Sequence, residues 1–276
     1  MIAMFGAIAG DVVGSTYERN NVKHKGFALL PAGARFTDDT VLTLAVARAL
    51  LSGEPLAHAM RELHGRYPEA GFGPTFRAWI EAGVAAAPPR SDSNGAAMRI
   101  APTGWAFGTL EAVLDVAERI TRLTHDHPEA VKGAQATATA VFLARHGAGK
   151  DTIRRHVETS FGYDLSVPLE DVRPHYSFDL SCAGTVPHAI RAFLEAQDFE
   201  DALRNAVSLG GDSDTLACIA GAIAEAYFGG VPEAIARPVW ERLDEPLRLL
   251  AQRFCAAYDV PLAPLTPDAA GPPAGG

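Results

Sequence analysis

Apolar residues recur at helical spacing along most of this 276-residue chain. From Thr37 to Leu51 they return every three or four residues, as on one face of a helix. No stretch alternates apolar and polar residues between turn signals, so the pattern predicts almost no strand. We therefore expect an all-α fold, a compact orthogonal bundle of roughly ten or more helices in a single domain. Similar spacing predicts helices over Leu110–Leu123, Val131–Arg145, Val186–Ala196, Phe199–Leu209, Thr215–Phe228 and Trp240–Tyr258.

The two ends of the chain carry different signals. The opening run MIAMFGAIAG has no basic residue and is followed at once by Asp11, which favours a buried first helix over a signal peptide. The tail, Pro261–Gly276, is rich in proline, glycine and alanine, and its composition predicts disorder. The expected domain is thus 1–260.

Composition narrows the class of protein. The chain is 48% hydrophobic and 21% charged, with a formal net charge of -9, which is typical of a soluble globular protein and argues against a general binder of nucleic-acid backbone. Its most apolar later run contains Glu225 and is too short to predict a membrane span. The three cysteines include no CxxC pair, which favours reduced thiols and a cytoplasmic location.

Two acidic clusters open two of the predicted helices. FTDDTVLTLA places Asp38 and Asp39 between threonines, and GGDSDTLACIAGA places Asp212 and Asp214 before another threonine. The simpler interpretation is capping, because threonine is a good N-cap residue and acids in a first turn complement the helix dipole. A cap, however, needs neither two neighbouring acids nor their repetition in a second helix.

Convergence of the four aspartates would require a balancing charge. Two like charges about 4 Å apart cost roughly 4 kcal/mol at an effective dielectric near 20. Several such pairs would consume much of a typical folding stability of about 5–15 kcal/mol. Carboxylates and threonine hydroxyls are oxygen ligands, so the residue types favour a hard cation such as Mg²⁺ or Mn²⁺ over zinc.

The first helix and the residues after it offer one more acid. In GAIAGDVVGSTYE the glycines are four residues apart, which is typical of close helix packing through small residues. Glu18 follows where this helix is expected to end and could reach a site. Gly210 and Gly211, before the second acid cluster, would allow a tight turn or a close approach of the backbone to a ligand.

A polar loop and a histidine pair complete the candidates. SDSNGAAMR, over 91–99, could offer backbone N–H groups to phosphate oxygens. THDHPE contains His125 and His127, but no third zinc ligand follows at a usual spacing, and Pro128 most simply starts a helix. Contact with a substrate is the better interpretation of His125.

Taken together, these segments resemble the ADP-ribosylglycohydrolase family, which includes the dinitrogenase-reductase-activating glycohydrolases. The similarity runs in family order over about residues 5–230, and the pairing of TDDT near the start with GGDSDT near the end is its most specific element. The motifs that carry it are GAIAGDVVGSTYE, FTDDTVLTLA, SNGAAMRIAPTGW, THDHPEAVKGAQATA, FDLSCAGTVPHAIRAFLEA and GGDSDTLACIAGAIAEAYFG.

The resemblance implies an all-α metal-dependent hydrolase that cleaves ADP-ribose from an acceptor on a protein, a nucleic acid or a small molecule. It implies two Mg²⁺ or Mn²⁺ ions, no membrane partner and, as we expect, a monomer. The implied metal ligands are Thr37, Asp38, Asp39, Asp212, Asp214 and Thr215; the implied catalytic residues are Glu18, Asp38, Asp39 and Asp212; the implied substrate-binding residues are Ser93, Asn94, Gly95, His125 and Gly211. Ser213 stands where many members have threonine, and the intervening loops differ, which leaves the linkage open.

Other classes fit the sequence less well. A non-catalytic ADP-ribose-binding protein of the same fold is the main alternative, although the intact acids argue against it. A terpenoid-type DDxxD motif would need an acid where this chain has Leu42, and a His-Asp phosphohydrolase motif is offered only by His125–Asp126.

Overall fold

Helices account for nearly all regular structure in the computed structural model, which describes residues 4–83 and 86–258. Within those ranges the only β-type pairing is an isolated bridge between Ser93 and Ser181, so the all-α prediction is confirmed. The predicted disordered tail lies outside the described residues. The helices are α1 (Phe5–Gly14), α2 (Asp38–Ser52), α3 (Leu56–Arg66), α4 (Pro74–Glu81), α5 (Gly95–Met98), α6 (Ala101–Ala106), α7 (Leu110–Arg122), α8 (Pro128–Arg145), α9 (Lys150–Phe161), α10 (Leu169–Val172), α11 (Cys182–Glu195), α12 (Phe199–Val207), α13 (Ser213–Phe228), α14 (Glu233–Arg242) and α15 (Glu245–Ala257).

Helices α1 and α13 form the centre of the bundle and touch backbone to backbone. Every residue of α1 is buried. A Cβ added at Gly10 would lie 2.0 Å from the carbonyl oxygen of Ala217, and one at Gly6 would lie 2.3 Å from that of Gly221. Only glycine allows this approach, so the predicted close packing is confirmed. It brings the start of α13 beside the side chain of Asp11 on α1.

Gly10→Ala should therefore destabilise the protein strongly. The new methyl group would overlap the α13 backbone, and overpacking of this kind costs about 1–3 kcal/mol or more. Gly65→Ala is the matched control: Gly65 is exposed in α3, and its added Cβ would meet nothing within 4 Å. There the change should be neutral or stabilising by up to about 1 kcal/mol. Urea denaturation of both variants checks this, and equal midpoints would contradict the packing described.

A buried carboxylate fixes the beginning of α1. Glu225 of α13 accepts hydrogen bonds from the backbone N–H groups of Phe5 (3.2 Å) and Gly6 (2.9 Å). These are first-turn donors that the helix itself cannot satisfy. Burial raises the pKa of Glu225 to about 8. The acid that broke the apolar run in the sequence is thus the cap of another helix.

One predicted helix is divided in two. The stretch Trp240–Tyr258 was expected to be continuous, but α14 ends at Arg242 and α15 begins at Glu245. Asp244 caps α15 by accepting a hydrogen bond from the N–H of Leu247 at 3.1 Å, and Pro246 occupies the first turn. Among the described residues, none of the helices is long and apolar enough to cross a membrane.

Candidate metal centre and substrate pocket

The first acidic cluster forms a genuine helix start. Thr37 is the N-cap of α2, and its hydroxyl accepts a hydrogen bond from the N–H of Asp39 at 3.3 Å. Asp38 and Asp39 lie in the first turn, and Asp39 is buried. The capping interpretation is therefore right for Thr37. Neither carboxylate takes part in that cap hydrogen bond, which uses the backbone N–H of Asp39.

Behind this helix start lies Asp11, which sequence analysis did not identify as part of the site. Its carboxylate accepts hydrogen bonds from Thr37 N–H (2.9 Å), the Thr37 hydroxyl (2.7 Å), Thr40 N–H (3.1 Å) and the Thr40 hydroxyl. Three of these hydrogen bonds go to Oδ2 and one goes to Oδ1, so Asp11 anchors the start of α2 to α1. The available signal was a charged residue inside an apolar, glycine-spaced helix, since a buried acid requires partners.

A turn of two glycines directly precedes the second acidic cluster, Asp212 and Asp214. Gly210 and Gly211 have φ values of +72° and +71°, in the left-handed region that favours glycine. The side chain of Asn21 accepts from Gly211 N–H at 2.7 Å and donates to its carbonyl at 3.2 Å. Gly211 therefore uses its donor within the protein and lies outside the pocket lining. Its predicted contact with substrate stays a prediction, and the geometry gives it the role of a turn.

The two clusters converge, although they are far apart in sequence. One carboxylate oxygen from each of Asp11, Asp39 and Asp214 lies within 4.8 Å of the other two. The Oδ1 atom of Asp39 is buried and accepts no hydrogen bond from residues 4–83 or 86–258. Asp212 accepts one from the Asn94 side chain at 2.5 Å. The acids are thus held together without enough donors to balance them.

Burial and mutual repulsion alter the acidity of the cluster. Burial, with repulsion from Asp11 next, raises the pKa of Asp38 to about 7. The same causes raise the pKa of Asp39 well above its ordinary value, and burial together with Asp212 does so for Asp214. Burial raises the pKa of Asp11 to about 6 despite its four donors.

The residues present fit a hard divalent cation. The donor set around the cluster is carboxylate and hydroxyl oxygen, which Mg²⁺ and Mn²⁺ prefer. The unpartnered Asp39 Oδ1 is an oxygen that such an ion would satisfy. Asp11 belongs to the cluster by distance, and its four hydrogen bonds to Thr37 and Thr40 suit it to support the ligands at the start of α2, as the outer partners of metal sites do.

Asp38, Asp39, Asp212 and Asp214 lie at one wall of a pocket of about 480 Å³. That volume is within the usual range for small-molecule sites, about 300–1,000 Å³. The structure brings every predicted site residue except Gly211 to its lining, although the individual roles stay predictions. The predicted residues that line it are Glu18, Thr37, Asp38, Asp39, Ser93, Asn94, Gly95, His125, Asp212, Asp214 and Thr215.

The polar loop is tied to the acidic wall. Asn94 is buried; its backbone N–H donates to the Leu180 carbonyl at 2.7 Å, while its side chain bonds Asp212. The hydroxyl of the neighbouring Ser93 lies 2.9 Å from Nε2 of His125. The loop therefore links the carboxylates to the histidine.

Glu18 is half-buried at the pocket. Burial, and next to it the negative charge of Asp212, raises the pKa of Glu18.

Metal-free protein should lose stability as pH rises from about 4 to about 8. Carboxyls whose folded pKa is raised bind more protons in the folded state, so their contribution is complete below the unfolded pKa and is lost as pH rises through the folded one. Asp11, Asp38 and Glu225 have folded values near 6, 7 and 8, which sets this window. Each of these three acids should account for a few kcal/mol of the loss.

Thermal unfolding in EDTA and in Mg²⁺, at about pH 5 and about pH 8, checks this expectation. In EDTA the lower pH should give the higher melting temperature. Stabilisation by Mg²⁺ should be greater at the higher pH, because ligands must be deprotonated to bind it. A melting temperature in EDTA that rises towards pH 8 would contradict the proposed burial of repelling acids.

The fold and the site together define a class: an all-helical protein whose oxygen-rich acidic centre forms one wall of a pocket of ligand size. A model of the ADP-ribosylglycohydrolase family matches residues 2–263. The chain belongs to this family, as its motifs predicted.

Relatives and a solved structure agree with this membership. The chain is 27% identical to the ADP-ribosylhydrolase ARH3 of Mus musculus, over 83% of this chain and 84% of that protein. It is 26% identical to the ADP-ribosylarginine hydrolase Tri1 of Pseudomonas putida, over 87% and 74%. A solved structure described as an ADP-ribosylglycohydrolase-related protein complex superposes with a TM-score of 0.69 at 28% identity, covering 93% of this chain and 96% of the other. These relatives support a hydrolase of the family.

Proposed function

We propose that this protein hydrolyses the bond between the distal ribose of ADP-ribose and an acceptor, and that it does so with divalent cations held by the two acidic helix starts. The observation that carries the proposal is the convergence of Asp38, Asp39, Asp212 and Asp214 with the 91–99 loop on one pocket. The names of the similar proteins supply the chemical class of the substrate.

The ligand set of the proposal is Thr37, Asp38 and Asp39 from α2 with Asp212, Asp214 and Thr215 from α13. Two Mg²⁺ or Mn²⁺ ions are proposed because the site gathers more carboxylates than one such ion would neutralise. When bound, they would supply Lewis acidity and a template for ribose hydroxyls and water. Asp11 would keep the proton of the Thr37 hydroxyl directed away from the ions, since that hydroxyl donates to it.

Cleavage breaks the bond from the anomeric carbon to the acceptor atom and forms a bond from that carbon to a water oxygen. The water loses a proton, and the departing acceptor gains one. Glu18 is the proposed general base, because it lies at the pocket and because burial and Asp212 raise its pKa, which makes its carboxylate a stronger base. One of the aspartates is the alternative. The 91–99 loop would hold the diphosphate, away from the reacting carbon.

Release of free ADP-ribose from defined substrates tests the proposal. Peptides ADP-ribosylated on arginine or on serine, and O-acetyl-ADP-ribose, should be incubated with the protein in Mg²⁺ and in EDTA. We expect release from at least one of them, growing with time and enzyme concentration, and lost in EDTA. Tight binding of ADP-ribose without release from any substrate would favour the alternative, a non-catalytic ADP-ribose-binding protein.

A further inference from the structure

Arg99 is an unusual residue because it is a fully buried arginine in the wall of the pocket. It follows α5, and its exposed fraction is zero. Its Nη2 donates to the Thr124 hydroxyl and lies 3.3 Å from Nδ1 of His125. Its Nε and Nη1 are buried and have no hydrogen-bond partner in the part of the chain that the structure describes. A buried guanidinium usually has a paired carboxylate, so this arrangement calls for a functional reason.

The neighbours of His125 determine which of its ring nitrogens carries the proton. Nδ1 is 2.8 Å from the Thr124 hydroxyl and 3.3 Å from Arg99 Nη2. Arginine can only donate hydrogen bonds, so Nδ1 must be the unprotonated acceptor. The Thr124 hydroxyl already accepts from Arg99 and can give its own proton to Nδ1. The proton of the neutral ring therefore lies on Nε2.

The direction of donation continues into the pocket. Nε2 is 2.9 Å from the hydroxyl oxygen of Ser93, so the ring donates to it. The Ser91 hydroxyl also donates to that oxygen, at 3.1 Å. With two donors directed at its oxygen, the Ser93 hydroxyl has its own proton left for a ligand. Arg99 and Thr124 therefore donate to His125, His125 donates to Ser93, and the Ser93 hydroxyl can donate to a ligand in the pocket.

The same arrangement keeps His125 neutral. Burial, reinforced by the positive charge of Arg99, lowers the pKa of His125 well below its ordinary value. A Cβ at Gly95 would lie 3.2 Å from Nε2, so glycine leaves the ring room against the loop. An anion in the pocket would therefore meet an uncharged donor, the Ser93 hydroxyl, with the positive charge of Arg99 behind it. This combination suits a diphosphate.

We propose that Arg99 is a positioning residue that holds His125 as the Nε2–H tautomer and so directs the Ser93 hydroxyl toward the diphosphate of the ligand. This rests on the proposed function for the identity of the ligand, but not for the state of His125. Arg99 acts through Thr124 and His125 and does not itself touch the ligand.

Nitrogen-15 NMR of the ligand-free protein tests the first half. The His125 signals are assigned by their loss in His125→Gln. We expect a pyridine-type Nδ1 and a pyrrole-type Nε2 in the natural protein. In Arg99→Met the two nitrogens should shift toward averaged values, because Thr124 alone can either donate to or accept from Nδ1. In Thr124→Val the natural pattern should remain, since Arg99 still donates to Nδ1. Arg145→Met, which removes a half-buried arginine outside the pocket lining, is the matched control.

Calorimetry with ADP-ribose tests the second half. Arg99→Met should weaken binding by about two-fold through equal population of the two His125 tautomers, and by more than that because the positive charge behind the donors is also lost. Its melting temperature should stay the same or rise, because the variant removes a buried, unpaired charge. Arg99→Lys, which keeps a charged donor, should recover part of the affinity. Weaker binding with a lower melting temperature and no recovery in Arg99→Lys would indicate a structural role and overturn the inference.

Two further results would also overturn it. One is an unchanged His125 pattern in Arg99→Met, which would mean that Arg99 does not set the tautomer. The other applies if the protein binds no ADP-ribose, so that the proposed function fails and inorganic pyrophosphate becomes the probe. A shift of the His125 Nε2 signal on adding pyrophosphate, removed by Arg99→Met, would support the inference. The absence of any shift would overturn it.

Discussion

Asp38→Asn and Asp212→Asn should each reduce turnover by roughly a thousand-fold or more, because charge stabilisation in a closed acidic site is worth several kcal/mol. Each replacement removes one negative charge from a proposed ion-binding cluster and keeps the size of the side chain. The residues come from different helix starts but line one pocket. The losses should therefore be similar for the two variants.

Stability separates this expectation from simple damage to the fold. Removing one of several repelling buried acids should leave the melting temperature in EDTA unchanged or higher, while the stabilisation by Mg²⁺ should shrink. Asp115→Asn is the matched control, since Asp115 is 67% exposed on α7 and pairs with Arg119 on the surface. Steady-state release of ADP-ribose and thermal unfolding check both points. Full activity in Asp38→Asn or Asp212→Asn would contradict the assignment of these residues to the active site.

Asp11→Ala should be the most destabilising change at the site. It leaves two backbone N–H groups and two threonine hydroxyls without their acceptor, all of them buried. Each unsatisfied group costs about 1–3 kcal/mol, so the total reaches a large part of a typical folding stability. Denaturant unfolding should show a loss of at least about 4 kcal/mol, or no folded protein.

Asp11→Asn gives the sharper result. The amide oxygen must take the Oδ2 position, which accepts three hydrogen bonds, so the NH₂ group faces the Thr37 hydroxyl. That hydroxyl would then accept a bond, and its lone pairs would be less available to a cation. We expect a folded protein whose Mg²⁺ affinity falls about 10–100-fold, as is typical when the outer partner of a ligand is lost. An unchanged affinity, measured by Mg²⁺-dependent melting, would show that Asp11 only supports the fold.

Much of the architecture was predictable because it depends on local rules. Helical spacing and Pro128 located α8, and the glycine spacing predicted how α1 packs. The division between α14 and α15 was missed because apolar spacing continues across it. The sequence signals of the break are Asp244, which caps α15, and Pro246 in its first turn. Both residue types also occur where the chain does not change direction, so they did not predict the break.

The candidate site was predictable only as motifs. Asp39 and Asp214 were each identified, but their proximity depends on how α1, α2 and α13 pack, which spacing does not encode. Asp11 looked like the end of an apolar run and Arg99 like part of a loop. Both matter because they are buried, and burial is a property of the whole fold.

The most direct test of the central claim is calorimetric binding of free ADP-ribose in Mg²⁺ and in EDTA, because it needs no assumption about the acceptor. We predict binding in Mg²⁺ that is lost in EDTA and in Asp212→Asn. Binding that EDTA leaves unchanged would contradict a metal centre and favour a metal-free ADP-ribose-binding protein. Absence of binding in both conditions would mean that the acids at the two helix starts serve another ligand or act only in the fold.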